Sequence, residues 1–172
     1  MKILVVSDAH GKSENLREAL EIEKPDRMYY LGDGEGLEDR FPVMTQVPVE
    51  CVQGNCDIGT NLPREVVLTV GKHVVLLTHG HFYGVNFGYG KIMEAAEEKG
   101  CDVILYGHTH VPEIEYRATK SGRAVTIANP GSIAYPRQKS REHTYLVIEV
   151  DPDGEFKYFL HSLEEHDRLN GN

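Results

Sequence analysis

The sequence predicts an α/β protein, and three observations carry that expectation. Met1–Ser7 is a β-branched run without apolar–polar alternation, as in a strand covered on both faces. Strand-like and helix-like segments alternate through the first part of the chain. The second part is mostly short strands separated by tight turns, with Asp153-Gly154 the strongest turn signal.

The elements follow in order. Ser13 is a good N-cap for a helix that carries Leu16, Ala19 and Leu20 on one side and ends at Pro25. Arg27–Leu31 is the second strand, stopped by Gly32-Asp33-Gly34, and a short polar helix or loop follows around Gly36–Phe41. Val47–Gln53 is the third strand, broken by Gly54-Asn55. Glu65–Val70 and His73–Thr78 form a hairpin across the two-residue turn Gly71-Lys72. Lys91–Lys99 is an amphipathic helix with Ile92, Ala95 and Ala96 inward and Gly100 just past its end. Asp102–Tyr106, Glu113–Thr119, Ala124–Ala128, Thr144–Val150 and Glu155–Leu160 are the remaining strands. Residues 1–172 are expected to form one domain, with 163–172 a polar tail that is a short helix or frays.

Composition narrows the function. The 172 residues are 40% hydrophobic and 26% charged, an ordinary globular usage. The net charge of -9 argues against an extended nucleic-acid surface or a polybasic membrane anchor. The N-terminal apolar run stops at Ser7, too short for a signal-peptide core, and no run suits a membrane span. Cys51, Cys56 and Cys101 make no C-x-x-C pair, so a reducing cytoplasm is the expected location.

Nine histidines are the unusual feature. Asp8 and His10 follow the first strand, Asp33 the second, Asn55 and Asp57 the third, His79 and His81 the fifth, and His108 and His110 the sixth. Sites in α/β sheets form outside the carboxyl ends of strands, so these side chains converge on one centre. Carboxylate, imidazole and amide oxygen without thiolate suit Mn²⁺, Fe, Zn²⁺, Ni²⁺ or Co²⁺. About seven ligands are too many for one tetrahedral ion but suit two ions sharing a carboxylate. Asp33, isolated between glycines and central in the order, is the expected bridge. Such a pair, most simply Mn²⁺, generates a hydroxide nucleophile and clamps a phosphoryl group.

Asp8-Ala9-His10, Gly32-Asp33, Gly54-Asn55-Cys56-Asp57, His79 and Gly107-His108-Thr109-His110 resemble the calcineurin-like metallophosphoesterases, in the family's order. With Asn129-Pro130-Gly131-Ser132, the chain looks like the YfcE-type phosphodiesterases of that family. The resemblance implies a four-layer α/β-β/α sandwich of two mixed sheets flanked by helices. It implies one metal on Asp8, His10, Asp33 and His110, and a second on Asp33, Asn55, His79 and His108. His81 is then beside the metals or facing the substrate.

The departure is Cys56, where many members carry a His acting on the leaving group. A thiol is a weak donor, and nearby cations lower its pKa, so activated esters are expected to react best. Asp57 is read as a turn cap. Ser132 and Arg137 are candidate substrate contacts, against a tight turn and a surface charge as alternatives. The aromatic segment 81–89 suits either stacking on a small nucleotide-like substrate or a homodimer contact. The leading expectation is a phosphodiesterase. A phosphomonoesterase or nucleotide-polyphosphate hydrolase shares every ligand, and a non-catalytic retromer-like scaffold shares the fold.

Overall fold

The computed structural model describes residues 1–170. Its strands are β1 (Lys2–Val6), β2 (Arg27–Tyr30), β3 (Val49–Cys51), β4 (Glu65–Val70), β5 (His73–Thr78), β6 (Val103–Leu105), β7 (Pro112–Ala118), β8 (Ala124–Pro130), β9 (Thr144–Val150) and β10 (Phe156–Ser162). Its helices are α1 (Glu14–Glu23), α2 (Phe41–Met44), α3 (Gly90–Glu98) and α4 (Leu163–Asn170). Two five-stranded sheets result, ordered β10-β9-β1-β2-β3 and β4-β5-β6-β8-β7. In the first, β1, β2 and β3 run parallel while β9 and β10 are antiparallel. In the second, β5, β6 and β8 run parallel and β4 and β7 close the edges antiparallel.

Strand parity explains the layers. Ile3 and Val5 of β1 join Tyr29, Leu31, Val75, Leu77, Val103 and Leu105 in a core between the sheets. Their neighbours Leu4 and Val6 point the other way, against Leu16 and Ala19 of α1, Phe41 of α2 and Leu163 of α4. Leu76, Ile104 and Ile127 likewise face Ile92 and Ala96 of α3. A strand buried on both faces has no polar face, which is why β1 shows no alternation. The expected α/β-β/α sandwich is therefore the observed one. Each fully buried Leu or Ile contributes roughly 1.5–3 kcal/mol.

Local signals fared differently. The Gly71-Lys72 turn joins Val70 and His73 as expected. Gly100 sits at φ +72°, and Cys101 N–H bonds Ala96 O at 2.8 Å, which terminates α3. Ser13 precedes α1 but makes no capping hydrogen bond; its φ/ψ of -104°/-12° is already helical, which turns the hydroxyl away from the first-turn N–H groups. The expected helix or loop at Gly36–Phe41 is a 3₁₀ turn over Glu38–Arg40 that leads into α2. The polar tail forms α4 through Asn170; its last two residues lie outside the described ones.

Candidate metal centre

Both sheets deliver their parallel strands to one end of the sandwich, and the loops after β1, β2, β3, β5 and β6 meet there. Asp8 N–H bonds Gly32 O at 3.0 Å and His10 N–H bonds Asp33 O at 2.9 Å, locking the first two loops together. Tyr30 Oη accepts from Ala9 N–H at 3.2 Å and donates to Asp33 O at 3.3 Å. The Asp57 carboxylate, buried beneath, accepts from Asp33 N–H at 2.8 Å, Gly54 N–H at 2.7 Å and Glu35 N–H at 2.8 Å. Asp57 is thus more than the turn cap its sequence context suggests: it organises three loop amides under the site.

The backbone is contorted here. Asp8, His10, Asp33, His108 and His110 all have φ between 45° and 69°. Left-handed backbone costs a residue with a Cβ about 1–3 kcal/mol, which the surrounding hydrogen bonds must offset. Close approach explains two glycines. A Cβ on Gly54 would lie 2.1 Å from Asp33 Oδ1, and one on Gly107 would lie 2.0 Å from Ser7 Oγ.

Three imidazoles are aimed by their outer nitrogens. His79 Nδ1 lies 2.6 Å from Leu31 O, and His110 Nδ1 lies 2.6 Å from Tyr135 O. A carbonyl only accepts, so each Nδ1 carries the hydrogen and each Nε2 presents a lone pair inward. His10 Nδ1 is held the same way by Glu35 Oε1 at 2.6 Å. His110 Nε2 then faces Asp8 Oδ1 at 3.1 Å and His10 Nε2 at 3.5 Å. His79 Nε2 faces Asp33 Oδ2 at 3.4 Å, Asp8 Oδ1 at 3.8 Å and Asn55 Oδ1 at 3.2 Å. Asp33 Oδ2 also lies 3.9 Å from His10 Nε2. Asp8 Oδ1 is buried and receives no hydrogen bond. Acceptors turned on acceptors at this spacing fit a cation between them. Among the described residues three groups, Asp8–His10–His110, Asp8–Asp33–His79 and His10–Glu35–Cys56, have potential ligand atoms within 4.8 Å of one another.

Without an ion, protons take its part. Burial would raise the Asp8 and Asp33 carboxyls, but the facing histidines outweigh it and hold both below the usual range. Burial would lower His79, but Asp33 and Asp8 hold it raised.

The other predicted residues fall around this nucleus. His108 stands beside it, its ring 5.1 Å from that of His79, and Asn86 Nδ2 lies 2.9 Å from its Nε2. Neither Asn86 nor Glu35 stood out in the sequence. His81 packs 5.3 Å from the His79 ring, and burial with the neighbouring His79 and His108 charges pushes it down to about 4. Cys56 accepts a hydrogen bond from Asn55 Nδ2 at 3.2 Å. In the protein alone, desolvation and the carboxylates of Asp33, Glu35 and Asp57 push its thiol up to about 11; metal cations act in the opposite direction. Ser132 is fully buried. Its Oγ donates to Asp8 O at 2.8 Å and accepts from Tyr135 N–H at 2.7 Å, so it ties the 129–135 loop to Asp8 and is not open to a substrate. Arg137 is exposed at the cleft beside His10 and His110. In the aromatic segment, Tyr83 and Tyr89 are bonded to Glu65 and Glu113, Val85 is buried, and Phe87 is left 96% exposed.

The calcineurin-like phosphoesterase superfamily domain matches residues 1–153. The probable metallophosphoesterase YsnB of Bacillus subtilis is 36% identical over 155 residues, covering 89% of this chain and 86% of that protein. The phosphodiesterase YfcE of Escherichia coli is 28% identical over 163 residues, covering 80% and 82%. Among solved structures, a predicted phosphoesterase of Streptococcus pneumoniae superposes with a TM-score of 0.76 at 31% identity, over 94% of this chain and 88% of that one. Vps29 of Entamoeba histolytica, complexed with Zn²⁺, shares the fold with a TM-score of 0.68 at 18% identity, over 94% and 99%. No helix among the described residues is long and apolar enough to cross a membrane. On its family match and its relatives, the chain belongs to the calcineurin-like phosphoesterase superfamily.

Proposed function

We propose that the protein is a phosphodiesterase using two divalent metal ions, most simply Mn²⁺. One observation carries the reading: inward His10, His79 and His110 Nε2 atoms face the Asp8 and Asp33 carboxylates. Asp8, His10, Asp33 and His110 would hold one ion, and Asp33, Asn55, His79 and His108 the other. When bound, such ions supply a hydroxide nucleophile and neutralise charge on the phosphoryl oxygens. The Asp33 carboxylate lies between the two histidine groups and suits a shared ligand. Leu31 O, Tyr135 O and Glu35 orient the histidines, so little rearrangement is needed at binding. The Asn55 amide would orient the phosphate, while Cys56 is a weaker donor to the leaving group than a histidine. Arg137 would meet a phosphate oxygen and His81, held neutral, would face the substrate. The free cysteines suit a reducing cytoplasm.

Elemental analysis of the purified protein, with parallel assays on bis(4-nitrophenyl) phosphate and 4-nitrophenyl phosphate, tests this reading. About two ions per chain and a faster diester rate are expected. A faster monoester rate would replace diester with monoester chemistry. Two bound ions with no turnover of either would favour a binding scaffold, which the Vps29 likeness of fold makes the natural alternative.

A further inference from the structure

Beside the metal centre lies a cleft of about 670 Å³ that opens on His10 and His110 and is walled by Tyr135, Arg137 and Arg141. That is room for a nucleoside-sized group. The chain carries 27 acidic and 18 basic residues, so its cations have carboxylates to spare. Lys2, Lys72, Lys99, Arg117, Lys120 and Arg168 each take one. Arg137 and Arg141, like several other cations among the described residues, take none, but these two line the same cleft. A third cation, Lys12, lies with its Nζ 4.1 Å from the centroid of the Tyr135 ring. Glu35 is the carboxylate on the wall, and His10 Nδ1 engages it at 2.6 Å.

Arg141 is also held in place. Its backbone adopts φ +59°, its N–H bonds Gln138 O at 3.1 Å, and its Nη1 bonds Pro136 O at 2.9 Å. Gln138 Nε2 closes the same turn on Glu142 O at 2.6 Å. A left-handed arginine is costly; its Nη1 is held by Pro136 O while the side chain lines the cleft, which leaves other guanidinium donors for a ligand. Toward Cys56 the character reverses, in a neighbouring space that shares Glu35 with the first. A second cavity, of about 580 Å³, is lined by Glu38, Asp39 and the exposed Ile58 beside Cys56.

Charge counting gives the cleft its ligand. The scissile phosphate of a diester carries one negative charge, which two divalent ions, already offset by Asp8, Asp33 and a hydroxide, suffice to balance. With Arg137 serving the scissile phosphate, Arg141 and Lys12 are surplus to it, so they call for another anion on the same side. We propose that the Tyr135–Arg137–Arg141 cleft is a subsite for a second phosphate, and that the preferred substrate is a phosphodiester with a phosphorylated arm lying there. The other arm, uncharged or cationic, leaves toward Cys56 and Ile58. The inference rests on the phosphodiesterase reading for its chemistry, but the subsite itself is a statement about binding.

The test compares thymidine 5′-(4-nitrophenyl phosphate) with its 3′-phosphorylated analogue on the metal-loaded protein. The analogue is expected to show a kcat/KM about tenfold higher, the gain lying in KM. Arg141→Ala should bring the ratio toward one, and Arg141→Lys should keep part of it. Calorimetry provides the second readout: thymidine 3′,5′-bisphosphate should bind more tightly than thymidine 5′-monophosphate, and Arg141→Ala should erase the difference. Turnover of both esters at equal efficiency, or a preference untouched in Arg141→Ala, would overturn the subsite. Should neither ester be cleaved while the bisphosphate preference persists and depends on Arg141, the diesterase reading falls and the subsite stands. Equal binding of the two nucleotides would remove the subsite whatever the activity.

Discussion

Asp33 lies within 4 Å of inward nitrogens on two separate histidines, His79 at 3.4 Å and His10 at 3.9 Å, and its other oxygen accepts from Cys56 N–H at 2.7 Å. A neutral amide has the same shape but cannot bridge two cations well. Asp33→Asn should therefore lose metal and activity together; an undiminished two-ion stoichiometry by elemental analysis would remove the bridging role. Asp57 acts one layer lower. Asp57→Ala would leave three loop N–H groups without their acceptor, at about 1–3 kcal/mol each, so a loss of at least about 3 kcal/mol is expected in chemical denaturation. The ligand-type residues were legible because the chemistry restricts them to Asp, Asn and His, and because each follows a strand. Asp57, Glu35, Asn86 and Ser132 were undervalued or missed, because their roles come from partners far off in sequence: Glu35 is 25 residues from His10, and Ser132 is 124 from Asp8.

Among the elements, α1 shows how a local signal can mislead. Serine before a helix normally caps it, and its loss typically costs about 1 kcal/mol. Ser13 makes no such bond; its Oγ is instead 3.5 Å from Arg40 Nη2. Ser13→Ala should thus cost less than about 0.5 kcal/mol, a difference that urea unfolding resolves. A full-sized loss would show that the cap forms in solution. Strands and their turns were easier to read, since β-branched runs bounded by glycine have few other uses. Helix α2 and the 3₁₀ turns at His81–Tyr83 and Val85–Phe87 were not foreseen. Segments this short carry too few residues to set up a periodicity, and their shape follows from buried anchors such as Phe41 and Val85.

For the whole molecule, the proposed ligands come from both sheets, Asp8, His10, Asp33 and Asn55 from the first and His79, His108 and His110 from the second. Metal bound on that set would tie the two halves, and a ligand held at about 100-fold above its Kd stabilises a fold by about 2.7 kcal/mol. Chelation should lower Tm. The effect should also depend on pH. The His79 pKa is raised in the folded, metal-free protein, so its proton contributes stability that is full below the unfolded value and lost as pH rises through the folded one. Metal must displace that proton. The Tm gain from added Mn²⁺ is thus expected to grow between about pH 6 and pH 8. A gain independent of pH in calorimetric scans would mean that His79 stays out of the metal shell. That two sheets stack was a consequence of the family likeness rather than of composition. That the adjacent residues Ile3 and Leu4 are both fully buried was legible from the run's lack of alternation.

The pairing of Lys2 with Glu149 has a consequence for biosynthesis. Strand β1 is the middle of its sheet, yet one of its two neighbours, β9, comes from the far end of the chain. During translation, Asp8, His10 and Asp33 leave the ribosome long before β9 exists. Until then β1 has an open edge, the kind of surface on which nascent chains associate. Long-range pairings of this sort also slow folding after release. On the proposed ligand set, metal would enter only after β9 has closed that edge, so growth short of metal should enrich for folded, empty protein rather than for truncated fragments.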